Sequence, residues 1–75
     1  MSHRYTIVIQ WSDEDRLYVV SLPEFGQFAH THGETYEEAL KSAQEVLDLL
    51  VEGYQEEGRP LPKPQIFDSE SLKVA

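Results

Sequence analysis

A single long amphipathic segment, bounded by a start signal and a stop signal, dominates this sequence. Thr35 followed three residues later by Glu38 is a capping box, in which the Thr hydroxyl accepts from the backbone N–H three positions on, and a helix is predicted to open there. At 100° per residue Tyr36, Ala39, Leu40, Ala43, Val46, Leu47, Leu50, Val51 and Tyr54 fall within one apolar stripe. Glu37, Lys41, Glu45, Asp48, Glu52 and Glu56 fall opposite. The pattern lasts for about 20 residues, roughly 30 Å of helix, and stops at Gly58, where a residue without Cβ accepts the left-handed cap. The predicted helix covers about 36–57. Leu49 sits near the polar side of this wheel, where a single exposed leucine is ordinary and an interface role is the less common alternative.

A helix with one apolar stripe must lay it on another layer, and the residues before it supply a sheet. Tyr5, Ile7, Ile9 and Trp11 alternate with Thr6, Val8 and Gln10, a period of two rich in β-branched and aromatic types, which predicts a strand over about 4–11. Ser12-Asp13-Glu14-Asp15-Arg16 is a polar break, predicted as a five-residue hairpin loop. Leu17 to Leu22 forms the second strand and Pro23, which has no N–H for a ladder, ends it. Glu24-Phe25-Gly26 is a turn, and 27–32 is a short third strand.

Beyond the helix, Arg59-Pro60-Leu61-Pro62-Lys63-Pro64 is a stiff extended connector, since each proline fixes its own φ and biases its predecessor away from helix. Ile66, Phe67, Leu72 and Val74 restore apolar character, and an edge strand is predicted over about 71–74. The predicted architecture is α+β with the order β-β-β-α-β. It is one domain, 1–75, in which an antiparallel three-stranded meander is covered by one helix and extended by a C-terminal edge strand.

At 75 residues such a domain buries only about 60% of the surface of its unfolded chain. There is no cysteine to supply a disulfide or a thiolate metal site, so self-association to a dimer or tetramer is the expected remedy. No stretch is apolar enough to span a bilayer or to serve as a signal peptide, which places the expected protein in the cytoplasm. Fourteen acidic residues against six basic ones give a net charge of −8. That field repels phosphate backbones and anionic lipids and favours encounter with a basic protein. No direct nucleic-acid binding and no membrane partner are expected.

Candidate chemistry is sparse. A two-metal nuclease needs carboxylates converging on two ions about 4 Å apart, and the middle of the first strand is Ile7-Val8-Ile9, with no acid. Asp13, Glu14 and Asp15 are ordinary turn formers. His30 and His32, two apart on a strand, share a face with Cα atoms about 7 Å apart, a spacing able to chelate zinc if His3 or Glu34 completed the set. The commoner role is two exposed imidazoles that hydrogen-bond a partner or water. No nucleophile–base pattern and no glycine-rich phosphate loop is present. No catalytic residue, metal ligand or cofactor is therefore assigned. Trp11, Phe25 and Phe28 lie where one helix has difficulty reaching, and either close the rim of the core or anchor a partner.

These residues together resemble the HicB-family antitoxins. The first strand from Tyr5, the acidic turn at Asp13-Glu14, the run Leu17-Tyr18-Val19-Val20 and the turn Leu22-Pro23-Glu24-Phe25-Gly26 are similar to the front half of the family. His32-Gly33-Glu34-Thr35 followed by Glu37-Glu38-Ala39 looks like its "G-x-T-x-E-E-A" helix entry, and Gly58 with Pro60-Leu61-Pro62-Lys63-Pro64 like its proline-rich exit. The resemblance covers about 5–64. It implies a degenerate RNase H-like domain whose partner is a HicA-type toxin, a small basic ribonuclease with a double-stranded-RNA-binding fold. Two departures stand out: Gln27 follows Gly26 where many members carry cysteine, and Ala75 comes without the C-terminal DNA-binding module of longer members.

The function expected is a non-enzymatic antitoxin that neutralises such a toxin by occlusion. Trp11 as anchor, with Glu24, Phe25, His30, His32 and Glu34 from the turn and third strand, are the candidate partner contacts, chosen for exposure and chemistry. The alternatives are a stand-alone oligomeric binding module without a toxin and a metal-dependent RNA-processing enzyme holding zinc at His30 and His32.

Overall fold

The computed structural model of the chain describes residues 4–68. Three strands precede one helix: β1 (Val8–Ser12), β2 (Leu17–Ser21), β3 (His30–Gly33) and α1 (Tyr36–Glu57). The strands form one antiparallel sheet in the order β1-β2-β3. The predicted edge strand at 71–74 lies outside the described residues. Among the described residues no helix is long and apolar enough to cross a membrane.

Strand alternation sorts the sheet into two faces. Ile9 pairs with Val20 and Val20 with Thr31, while Trp11 pairs with Tyr18 and Tyr18 with Gly33. That set faces α1, which lies mainly across β2 and β3. Val20, Leu22, Ala39, Ala43 and Leu47 make the buried core, with Ile9, Tyr18, Val46 and Leu50 packed around it. Val20 and Leu22 are wholly buried, a contribution of about 1.5–3 kcal/mol each. Ala39 and Ala43 are small, which lets the helix axis approach the sheet closely. At Gly33 a Cβ would lie 2.7 Å from the Ala39 Cα and 2.8 Å from the Glu38 carbonyl carbon, so only glycine fits under the first turn of α1.

The helix ends follow from the residues at them. Thr35 is extended and its Oγ1 accepts from the N–H of Glu38 at 3.1 Å. At the other end Gly58 takes φ 69°, its N–H donates to the Gln55 carbonyl, and the Arg59 N–H donates to Tyr54 O at 2.9 Å. This is a Schellman closure, which satisfies carbonyls the helix would otherwise leave open.

The strand bounds differ from those the alternation suggests. β1 begins at Val8 and not at residue 4, because its partner β2 ends at Ser21 and the Leu22 N–H turns instead to Ala29 O. The hairpin loop holds four residues, Asp13–Arg16, closed by the Arg16 N–H donating to Ser12 O at 2.8 Å with Arg16 at φ 57°. β3 begins at His30 and not at residue 27. Pro23–Phe25 form a 3₁₀ turn, Gly26 follows at φ 98°, and the Ala29 N–H bonds back to Gly26 O, so 27–29 belong to the turn. Residues 59–68 run without regular structure along the start of the chain, where the Tyr5 hydroxyl donates to Pro62 O at 2.7 Å.

Candidate functional site

One helix covers one side of the sheet, and the other side is open among the described residues. By alternation that face carries Val8 and Gln10 of β1, Leu17 and Val19 of β2, and His30 and His32 of β3. Val19 lies between Gln10 and His32 across the strands. Both histidines are exposed. Asp15, Leu17, Val19, His30, Thr31 and His32 line an open depression of about 440 Å³. Its floor is aliphatic and its margin carries two imidazoles and a carboxylate, a combination that suits protein side chains with both apolar and polar parts.

The His30 ring has a defined polarity. Its Nε2 lies 2.7 Å from Gln27 O, and since a carbonyl only accepts, the nitrogen must carry the proton. Nδ1 remains for a partner. Among the described residues no group of three or more His, Cys, Asp or Glu side chains is placed to hold a metal ion. Glu34 does not complete a set with the two histidines, and His3 lies outside the described residues.

Trp11 and Glu34 stand at the end of the sheet nearest the start of α1. Trp11 is 51% exposed, and its ring meets Tyr18 edge-on at 5.1 Å. Tyr18 in turn stacks on Tyr36 at 4.3 Å and 29°. The indole N–H donates to Asp13 Oδ1 at 2.9 Å. Glu34 is exposed and follows Gly33, the strand partner of Tyr18. Partial burial, and then the phenol of Tyr36 beside it, raise the Tyr18 hydroxyl above the ordinary tyrosine value. This aromatic row escapes the sequence because the five-residue loop sets Trp11 against Leu17, whereas the observed register sets it against Tyr18.

Glu24 and Phe25 lie at the far end and are engaged within the chain. Both carboxylate oxygens of Glu24 accept from the Thr6 N–H at 3.1 Å, and Oε2 also accepts from the Thr6 hydroxyl at 2.9 Å and the Gln65 N–H at 2.9 Å. Burial pushes its carboxyl up, but these donors outweigh burial and leave it below the usual glutamate value. Phe25 packs edge-on between Tyr5 at 4.7 Å and Tyr54 at 5.6 Å. Phe28, by contrast, is 89% exposed at the tip of the turn.

The six candidate contacts thus occupy three places. His30 and His32 share the open sheet face, Trp11 and Glu34 stand at the loop end of the sheet with Trp11 on the helix side, and Glu24 and Phe25 join the N-terminal segment to the residues after the helix. The sequence model of a family described as HicB_like antitoxin of bacterial toxin-antitoxin system matches residues 5–73. No curated protein and no solved structure matches significantly.

Proposed function

The chain belongs to the HicB-like antitoxin family of bacterial toxin–antitoxin systems, and from that membership we propose that it neutralises a small basic HicA-type mRNA-cleaving toxin by covering its RNA-binding surface. The observation that carries this reading is the uncovered sheet face, with an aliphatic floor at Leu17 and Val19 and polar groups at His30 and His32. A face of that composition buries apolar area while the imidazoles orient the partner. At the loop end of the sheet the exposed Trp11, on the helix side, and Glu34 offer further contacts beyond that face, and the net charge of −8 speeds the approach of a basic protein.

In this reading the protein acts in the cytoplasm by steric and electrostatic occlusion, without catalysis or cofactor, and as a dimer or tetramer. The domain is a degenerate relative of the RNase H-like fold, supported by the order of three antiparallel strands and a helix. Glu24 and Phe25 serve the interface by holding the turn before β3 in place, with any contact of their own secondary.

Co-expression with the adjacent open reading frame tests the proposal. Growth restored, together with co-elution of the two proteins, is the expected result. A demonstrably toxic neighbour that is neither silenced nor retained would overturn it.

A further inference from the structure

We propose that the aromatic row Trp11–Tyr18–Tyr36, exposed at its two outer rings, is a receptor for an arginine side chain of the protein partner. This deepens the antitoxin reading by naming the group recognised, and its attribution to the toxin rests on that reading.

Three observations converge. First, the two outer rings are accessible, Trp11 at 51% and Tyr36 at 62%. Tyr18 lies between them in edge and stacked contact, so the rings form one continuous aromatic surface and not three separate side chains. Second, the carboxylate of Asp13 is fixed at the indole edge by the Trp11 N–H. A negative group held beside a π surface attracts a cation to the ring face and supplies its hydrogen-bond acceptor.

Third, the chain satisfies the same chemistry once with its own residues. At the other end of α1 the Arg59 guanidinium lies 4.3 Å over the Tyr54 ring, with Glu57 Oε1 3.5 Å from its Nη1. Among the described residues no lysine or arginine occupies the equivalent place over Trp11 or Tyr36. Arginine fits better than lysine because its plane stacks on rings, it is less strongly hydrated than an ammonium, and it presents several donors at once to a carboxylate. The chain's net charge of −8 selects a basic protein as the source.

The single tryptophan makes the test direct. The full chain, labelled with ¹⁵N, is titrated with a short capped arginine peptide and with the same peptide carrying citrulline, which keeps the shape and removes the charge. The expected result is a saturable shift of the Trp11 indole N–H signal with the arginine peptide, at least about tenfold weaker binding of the citrulline peptide, and loss of the response in Tyr36→Gln but not in Tyr36→Phe. Tyr36 is mostly exposed, and unchanged backbone signals elsewhere show that Tyr36→Gln still folds. Equal responses to the two peptides, or no indole shift at millimolar peptide, would overturn the receptor. In a parallel measurement with the purified cognate toxin, Tyr36→Gln is expected to weaken binding about tenfold. Wild-type toxin binding that Tyr36→Gln leaves unchanged rejects the attribution alone, whereas a wild-type chain that fails to bind the toxin rejects the antitoxin reading and leaves the peptide result to stand separately.

Discussion

Gly33 and Ala39 meet backbone to backbone: a Cβ on the glycine would come within 2.7 Å of the alanine Cα, where the third strand passes under the first turn of the helix. Neither side of that contact is a flexible side chain able to swing away. Gly33→Ala is therefore expected to separate α1 from β3 and cost about 1–3 kcal/mol, read as a lower urea midpoint. Gly53, inside α1, has no atom within 4 Å of the same hypothetical Cβ apart from its chain neighbours and the helix's own backbone. Gly53→Ala is expected to raise stability by about 0.5–1 kcal/mol through helix propensity. The same chemical change thus has opposite signs at two positions, which a general loss of glycine flexibility does not produce.

Glu24 links acid stability to the geometry of the chain ends. Its carboxyl lies below the ordinary value of 4.5 in the folded protein, because the donors from Gln65 and Thr6 outweigh burial. A group lowered by folding adds stability that is fully present above its unfolded value and is lost as the pH falls through the folded one. Glu24→Gln is accordingly expected to cost about 1 kcal/mol at neutral pH, and the gap from wild type is expected to close below about pH 4.5. Urea unfolding at a series of pH values checks both parts, and a gap that stays constant into acid would show that the ionised form has no special role.

Thr35→Ala removes the acceptor for the Glu38 N–H and is expected to cost about 1 kcal/mol. Thr35→Asp keeps an acceptor and adds charge at the positive end of the helix, so it is expected to match wild type or exceed it. Thermal unfolding separates the two, and faster amide exchange at Glu38 in the alanine variant assigns the effect to the cap.

How much of this was legible in the sequence differs from residue to residue. The helix was legible at both ends because Thr35, Glu38 and Gly58 act locally, through atoms a few residues apart, and its buried positions Ala39, Ala43, Leu47 and Val51 all lie on the apolar stripe. The strand ends were less so. The alternation of Tyr5 to Trp11 is continuous, but ladder bonds exist only where a partner strand is present, and Leu22 turns away toward Ala29. Arg16 concealed the hairpin loop, since an arginine at φ 57° carries no sequence signal of the kind glycine or asparagine gives. One residue of loop length then moved the register, and with it the meeting of Trp11, Tyr18 and Tyr36. Among the candidate contacts, the placement of His30 and His32 on one exposed face of β3 was legible from their spacing of two. The engagement of Glu24 with Thr6 and Gln65 was hidden because it joins residues 18 and 41 apart in sequence.

The open sheet face is expected to be sensitive where the outer helix surface is not. Val19→Asp places a charge on the aliphatic floor between His32 and Gln10, and toxin affinity is expected to fall at least about thirtyfold, as for loss of a central interface anchor. Leu49 is 68% exposed on the opposite side of the molecule's helix, and Leu49→Ala is expected to change affinity less than about twofold. Calorimetric titration of the toxin with each variant gives the comparison, and equal effects would move the interface away from the sheet.

Occlusion is tested most directly by titrating the purified cognate toxin with this chain while following cleavage of an mRNA substrate. Cleavage should decline in proportion to added chain and cease at a fixed stoichiometric ratio, with no cleavage by the chain alone. Undiminished cleavage under a large molar excess, or RNA cut by the chain itself, would contradict the account.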